Sequence, residues 1–206
     1  DGSATFYSEK FGEHYHALFG GKMEAIKKYV EPCKIVEKKD VAILDVCFGM
    51  GYNSAAAIDA RTGTMVVVGL ENDPKIMETI PSLDYPFACK DIIVDAVEKG
   101  MASRDGVTVK ILLGDARETI KNVRQEFDAI FFDPFSPKKC PELWTVEFLK
   151  DVYVVTKPGG ILSTYSCARI VRDNLKAAGF IVSDGPVYGR RAPATLGIKP
   201  SEEKDS

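Results

Sequence analysis

Short apolar runs rich in β-branched residues recur along the chain, and segments with a helical period separate them. Five of these runs are predicted to be strands, at residues 41–48, 65–71, 107–115, 127–133 and 160–166. Helical periodicity is clearest at residues 116–125, 142–156 and 168–178. This alternation of strand and helix is typical of a parallel sheet covered by helices on both faces.

The carboxyl-terminal part of the chain follows a different pattern. Residues 181–188 and 192–199 are two strand-like runs, separated by Gly189, Arg190 and Arg191. Such a short connection predicts a hairpin, so the last strand should run antiparallel to its neighbours. The predicted fold class is therefore α/β, with a mostly parallel seven-stranded sheet, an antiparallel last strand and helices on both faces.

The first forty residues precede this pattern and are expected to act as a cap or lid. They combine aromatic residues and a Gly-Gly pair with a helix predicted at residues 22–30. Residues 41–200 are expected to form the main domain. The tail at residues 201–206 is expected to fray, and its four charged residues supply −2 of the formal net charge of −3.

Composition narrows the functional classes only slightly. The 206 residues are 45% hydrophobic, enough for one domain with a substantial core, and the net charge of −3 gives no global argument for nucleic-acid binding. Five cysteines without a C-x-x-C pair favour a reducing compartment, so we expect a cytoplasmic protein. No apolar run is long enough to span a bilayer. His14 and His16 are the two histidines, and they predict no metal site.

A glycine turn follows the first predicted strand. Ligands of open parallel sheets bind at the carboxyl ends of the strands, which makes this turn a candidate site. Gly49 and Gly51 lack side chains that would keep a ligand from the backbone, and Asn53 follows at the predicted start of a helix. The dinucleotide-binding pattern fails here, because Ser54 occupies the position of its third glycine.

Acids end the next three predicted strands. Glu71 lies where a carboxylate can accept hydrogen bonds from ribose hydroxyls, or it is a solvated acid that caps the following helix. Asp115 either reaches an adenine amino group or caps the helix that starts at Ala116. Asp133 ends the fourth strand. A glycine turn with three acids indicates a nucleoside ligand, and the acidic surroundings suit a cationic one, S-adenosylmethionine.

Several segments resemble those of class I S-adenosylmethionine-dependent methyltransferases, and more narrowly those of the MnmC-like methyltransferases. The segments are LDVCFGMGYN, GLEND, GDA, FDAIFFDPFSPKKCPELW and VTKPGGILSTYS. Residues 48–53 match the family's Phe-Gly-x-Gly-x-Asn turn, and residues 133–141 match its Asp-x-Phe-x-Pro-x-x-x-Pro stretch. Cys47 departs from many class I enzymes, which carry a glycine at this position.

The resemblance implies a class I, Rossmann-like fold and methylation of 5-aminomethyl-2-thiouridine at the wobble position of tRNA. The implied cofactor is S-adenosylmethionine and the implied partner is tRNA. Some family members also carry a flavin-dependent oxidase domain, for which this chain is too short, so another route is expected to supply the aminomethyl group. The expected cofactor-binding residues are Glu13, Phe48, Gly49, Gly51, Asn53, Glu71, Asp115, Ala116 and Asp133. The expected substrate-binding residues are Tyr7, Phe135, Lys138, Lys139 and Arg190.

Asp133 and Phe135 are the candidate catalytic residues. A primary amine is a nucleophile only when neutral, and a carboxylate beside it can orient the lone pair and accept a proton. Phe135 is placed to stack on a uracil ring, and the surrounding prolines stiffen the loop that carries it. The structural alternative is that Asp133 only ends a strand while Phe135 and Trp144 pack in the core.

Three other functions remain compatible with the sequence. An aminopropyltransferase of the spermidine synthase type has the same fold and an acid after the same strand. A small-molecule amine methyltransferase would agree with the near-neutral charge. A scaffold that has lost catalysis is the third alternative, and the intact glycine turn with its three acids argues against it.

Overall fold

The structure is a computed structural model that describes residues 7–8, 12–14, 20–189 and 191–201, without the side chains of Ser8 and His14. The predicted tRNA contact Arg190 lies outside these residues, as do His16 and the charged tail from residue 202 onward. Within the described part, no helix is long and apolar enough to cross a membrane.

Ten strands occur in the described part of the chain. β1 (Tyr7–Ser8) and β2 (Glu13–His14) form a separate antiparallel pair. The main sheet has the order β5-β6-β4-β3-β7-β8-β10-β9. Its strands are β3 (Asp40–Val46), β4 (Thr64–Glu71), β5 (Met101–Arg104), β6 (Val107–Leu113), β7 (Phe127–Phe132), β8 (Thr156–Thr164), β9 (Ile181–Asp184) and β10 (Thr195–Ile198).

The central strands β6, β4, β3, β7 and β8 are parallel, which confirms the predicted α/β class. The last strand, β10, runs antiparallel to β8 and forms the predicted hairpin with β9. The sheet of the described residues has eight strands, however, and not seven. The additional strand is β5, an antiparallel edge strand joined to β6 by a tight turn. Asp105 and Gly106 both have positive φ in this turn, at 49° and 77°, as a two-residue hairpin requires.

Helices cover both faces of the sheet. They are α1 (Gly21–Ala25), α2 (Tyr52–Ala60), α3 (Pro74–Thr79), α4 (Lys90–Lys99), α5 (Ala116–Thr119), α6 (Val146–Val154) and α7 (Arg169–Ala178). Short 3₁₀ turns occupy Ile35–Glu37, Ile80–Ser82, Ile120–Asn122 and Pro141–Trp144. The predicted helix at 142–156 is thus divided, because the Thr145 hydroxyl caps a new helix by accepting a hydrogen bond from Phe148 N at 3.3 Å.

A π-helical turn, Ile26–Val30, continues α1. Its Tyr29 and Val30 belong to the core on one face of the sheet, beside Ile43 and Phe131. This helix is therefore packed into the domain that follows it. The cap or lid predicted for residues 1–40 stays a prediction, and most of its first 19 residues lie outside the described residues.

The core has two halves because successive strand residues face opposite sides of the sheet. In β3, Ile43 packs on the side of α2 and the π-helical turn, while Leu44 packs on the side of α6 and α7. All the central strands end at the same edge, and the candidate site lies there.

Candidate active site

The turn between β3 and α2 has the shape that its glycines predict. Gly49 and Gly51 have φ values of 56° and 73°, and a Cβ on Gly51 would lie 2.5 Å from Phe48 Cζ. Cys47 also has a positive φ, 67°, although it is not a glycine. The amides of Cys47 and Phe48 both donate to Leu70 O at 3.0 Å. The turn is therefore attached to the end of β4.

Glu71 joins this turn to the loop after β4. Its carboxylate accepts hydrogen bonds from Gly49 N at 2.7 Å, Asn72 N at 2.8 Å and Asp73 N at 2.9 Å. The side chain is buried, and burial raises its pKa while the three amides act in the opposite direction. Since a carboxylate has about four acceptor positions, one remains for a ligand. The alternative of a solvated acid is excluded, because Glu71 is 6% exposed.

Asp115 caps α5, as one of its two predicted roles requires. It accepts a hydrogen bond from Arg117 N at 3.0 Å, and its carboxylate also pairs with the Arg117 guanidinium, whose hydrogen bonds hold the pKa of Asp115 below its usual range. Asp115 and the buried Ala116 nevertheless line a cleft at the strand ends. The cleft residues are Cys47, Leu70, Glu71, Asn72, Gly114, Asp115, Ala116, Cys140, Glu142 and Leu143.

Asp133 follows β7 directly and lies beside the start of α2. Its Oδ2 accepts a hydrogen bond from Asn53 Nδ2 at 2.9 Å. The residue keeps some contact with solvent, yet protein surrounds its carboxyl closely enough that burial raises the pKa to about 7. The Glu24 carboxylate acts in the same direction, whereas Tyr29, Asn53 and Lys28 favour the charged form. A carboxyl with a pKa near 7 can both accept and release a proton at neutral pH.

The loop after Asp133, residues 134–144, is held by bonds to its backbone. Trp144 Nε1 donates to Phe135 O at 2.8 Å, and Tyr165 Oη donates to Pro134 O at 2.9 Å. Trp144 is buried and packs edge-on against Phe132, while Phe135 is only partly buried. The structural alternative thus holds for Trp144, and in part for Phe135, which packs against the same core cluster but keeps some exposed surface. We call this segment the acceptor loop.

The amino-terminal strand pair contacts the acceptor loop. Glu13 accepts hydrogen bonds from Ser136 N at 3.0 Å and from the Ser136 hydroxyl. A Cβ on Gly12 would lie 3.3 Å from Lys139 Nζ and 3.5 Å from Tyr7 Oη, so both side chains reach the same glycine. The structure therefore brings together three predicted site residues, which are Tyr7, Glu13 and Lys139, while Lys138 is exposed on the same loop.

Two buried residues near the site were not predicted from the sequence. Asp45, in β3, accepts a hydrogen bond from Ser54 Oγ at 2.5 Å with one oxygen, while the other has no hydrogen-bond partner among the described residues. Burial raises its pKa well above the usual value. Its position near the end of β3, the first strand predicted from the sequence, is the signal that could have identified it. Tyr29 is the second residue, and no local motif marks it.

These residues fit S-adenosylmethionine. The absence of a Cβ at Gly51 lets the Phe48 ring pack against the turn, and Glu71 at the end of β4 and Asp115 after β6 line the cleft beside Cys47 of the turn. The Asp133 carboxyl adds an acceptor for a cationic ligand. Among the residues that the structure describes, no group of three His, Cys, Asp or Glu side chains could hold a metal ion.

Fold and site together define a class I S-adenosylmethionine-dependent methyltransferase. Residues 91–200 match a family model described as an S-adenosyl-L-methionine-dependent methyltransferase, and the chain belongs to this family. An uncharacterized protein of Methanocaldococcus jannaschii is 32% identical over 206 aligned residues, which cover 97% of this chain and 58% of that protein.

The chain is also similar to MnmC proteins. The tRNA 5-methylaminomethyl-2-thiouridine biosynthesis bifunctional protein MnmC of Aromatoleum aromaticum is 30% identical over 89% of this chain, which spans 32% of that protein's length. The crystal structure of MnmC2 from Aquifex aeolicus superposes with a TM-score of 0.81 at 32% identity, over 98% of this chain and 70% of that one. Spermidine synthase from Thermotoga maritima has a TM-score of 0.65 at 15% identity, which shows the common fold alone.

Proposed function

We propose that this methyltransferase converts the 5-aminomethyl group of a wobble uridine or 2-thiouridine in tRNA to 5-methylaminomethyl. The observation that carries the proposal is Asp133, a carboxyl with a pKa of about 7 beside the glycine turn and at the start of the acceptor loop. The similarity to MnmC proteins supports tRNA as the partner and the wobble position as the target. Because tRNA is the substrate, we expect the protein to act in the cytoplasm.

Asp133 acts on the amine in this proposal. When bound, S-adenosylmethionine supplies a methyl group on a positively charged sulfur. The Asp133 carboxylate accepts a hydrogen bond from the amine and directs its lone pair, while Asn53 fixes the carboxylate from the other side. The bond between the methyl carbon and sulfur would break as the bond to nitrogen forms, its electron pair would stay on the sulfur, and Asp133 would accept the proton that the nitrogen releases. A pKa near 7 allows Asp133 to return this proton to solvent in the next cycle.

The cleft residues hold the cofactor in this proposal. The remaining acceptor position of Glu71 binds the ribose hydroxyls, and Asp115 with Ala116 faces the adenine. The backbone of the turn, with Phe48, Gly49 and Gly51, lies against the nucleoside. Asn53 and Glu13 lie toward the amino-acid end of the cofactor, near Asp133 and the acceptor loop respectively.

The acceptor loop and the amino-terminal strand pair bind the tRNA. Phe135 stacks on the uracil ring, because it is partly exposed two residues after Asp133. Lys138 and Lys139 contact phosphates, and Arg190 is expected to do the same from the loop between β9 and β10. Tyr7 is half-exposed and lines the same side.

The test uses methyl-labelled S-adenosylmethionine and two tRNA pools, one with 5-aminomethyl-uridine derivatives at the wobble position and one without them. We expect label only in the first pool. Asp133→Asn should still bind the cofactor and lose at least about a hundredfold in turnover. Label in both pools, or label transferred only to free amines or polyamines, would contradict the proposal.

A further inference from the structure

Tyr29 is a core residue whose hydroxyl faces the candidate catalytic carboxyl. Its side chain is 1% exposed, and its ring packs against Phe131 with the centroids 5.6 Å apart. Burial first, and then the charge of Asp133 and a contact with its side chain, raise the pKa of Tyr29. Asp133 follows Phe131 by two residues, so strand alternation places its side chain on the side of the sheet where Tyr29 packs, and Asn53 of α2 bonds it there.

The Tyr29 hydroxyl makes no hydrogen bond of regular geometry within the described part of the chain. A buried hydroxyl without a full hydrogen bond destabilises the fold, so its position requires an explanation. A carboxylate has about four acceptor positions, and among the described side chains Asn53 bonds Asp133 at Oδ2, so Asp133 is an acceptor that the hydroxyl can reach. Catalytic hydrogen bonds are often long without substrate and tighten when substrate binds.

The backbone around Tyr29 is also unusual. The residue lies in the π-helical turn Ile26–Val30, and such turns are rare and occur frequently at functional sites. The turn is tied to β8, because the Ser163 hydroxyl donates to Lys28 O. It adds a residue to the helical turn and so changes the direction of the Tyr29 side chain.

We propose that Tyr29 is a positioning residue for Asp133. Its hydroxyl donates a hydrogen bond to the carboxylate, opposite the Asn53 amide, and directs the free lone pair of Asp133 toward the amine. This inference rests on the proposed function in assigning the amine. The contact between Tyr29 and Asp133 does not depend on it.

Other charged groups surround the same carboxyl. From the first helix, the buried Lys28 pairs with Glu24. The Asp45 carboxyl in β3 and the Cys47 thiol in the following turn lie close enough to interact with Asp133 electrostatically. The titratable groups that face Asp133 are Glu24, Lys28, Tyr29, Asp45 and Cys47. Lys28 and Glu24 oppose each other at Asp133, and the Tyr29 hydroxyl is a neighbour that can donate without bringing a charge.

The decisive measurement is a titration of the Asp133 carboxyl by carbon-13 NMR. The protein is labelled at its aspartate carboxyls, and the Asp133 signal is assigned by its loss in Asp133→Asn. In Tyr29→Phe the ring on Phe131 is kept and a donor to the carboxylate is removed. The titration midpoint of Asp133 should rise by about 0.5–1 pH unit in this variant, because the lost hydroxyl donor favours the charged carboxylate.

Activity supplies the second readout. With tRNA substrate, Tyr29→Phe should lower kcat by about tenfold while the KM for tRNA and the affinity for S-adenosylmethionine change little. The rising limb of the pH–rate profile should move to higher pH with the NMR midpoint. The matched control is Tyr52→Phe, which removes another fully buried hydroxyl whose ring packs on Tyr85 and Phe87.

The outcomes are separable. An unchanged Asp133 midpoint in Tyr29→Phe overturns the inference, whatever the activity. An equal shift in Tyr52→Phe also overturns it, because the effect would then come from general loosening of the core. If the wild-type protein methylates no tRNA, the proposed function fails, and the titration still decides whether Tyr29 acts on Asp133.

Discussion

At the scale of single residues, Glu71 connects the glycine turn to the loop after β4 through three backbone amides. Replacing it would therefore free the turn and, under the proposed function, also remove the acceptor for the ribose. We expect Glu71→Gln to weaken S-adenosylmethionine binding by at least about tenfold. Glutamine keeps one acceptor oxygen, but its side-chain N–H would face backbone N–H groups that now donate to the second carboxylate oxygen. Isothermal calorimetry measures this.

The control for Glu71 is Asp73→Ala. The Asp73 carboxylate caps α3 by accepting a hydrogen bond from Lys75 N at 3.0 Å. Its loss should lower helix stability by about 1 kcal/mol and leave cofactor affinity nearly unchanged. If Glu71→Gln bound the cofactor as tightly as the wild-type protein, Glu71 would have no part in ribose binding.

The strand-end acids could be predicted from the sequence because each follows a recognisable apolar run. Glu71, Asp115 and Asp133 all lie at the edge where the hydrophobic pattern placed them. Tyr29 could not be predicted, since its contact with Asp133 depends on how the first helix docks. The bond between Glu13 and Ser136 spans 123 residues and could not be predicted, and the resemblance implied only that Glu13 is a cofactor-binding residue.

At the scale of elements, the acceptor loop depends on Trp144 as much as on its prolines. Trp144→Phe keeps an aromatic ring against Phe132 and removes the hydrogen bond to Phe135 O. We expect a stability loss of about 1 kcal/mol and a decrease in kcat of several-fold, because Phe135 would no longer be fixed beside Asp133. Steady-state kinetics with tRNA and thermal melting measure the two effects.

Phe148→Leu is the control that distinguishes loss of the loop hydrogen bond from loss of core packing. Phe148 packs against the same Phe132 from α6, with ring centroids 6.0 Å apart. Its truncation should cost about 1 kcal/mol of stability and preserve kcat. Equal loss of kcat in both variants would mean that core packing, and not the loop bond, sets the activity.

The sequence predicted the positions of the buried central strands, but it did not predict the exposed strand β5 or the π-helical turn. The central strands are apolar on both sides, so their apolar runs were visible. β5 is largely exposed and has no such run, although the Asp105–Gly106 turn is a hairpin signal. The π-helical turn leaves no pattern, because its residues also fit an α-helical period.

At the scale of the whole molecule, the buried acids of the site oppose folding. Burial raises the pKa of Asp45, Glu71 and Asp133, so the folded protein binds more protons than the unfolded chain. For Asp133 this destabilisation is absent below about pH 4, where unfolded aspartate is also protonated. It develops as the pH rises, and it is complete above the folded pKa of about 7.

Asp133→Asn should accordingly stabilise the protein at pH 8 while abolishing most of its activity. We expect a gain on the order of 2 kcal/mol, or about 5 °C in Tm for a chain of this size, and no gain at pH 4. Differential scanning calorimetry across this range measures it. Asp128→Asn is the control, because this carboxylate accepts from Ala42 N and pairs with Lys157. A stabilisation of similar size there would contradict the explanation.

The three amides on Glu71 have a consequence for ligand entry. They join the loops after β3 and β4 to each other through hydrogen bonds within the protein itself. A nucleoside that enters therefore meets a surface whose conformational entropy was already lost when the chain folded. Association should be limited by diffusion and desolvation and not by loop rearrangement, and the selectivity of the cleft should come from rigid shape.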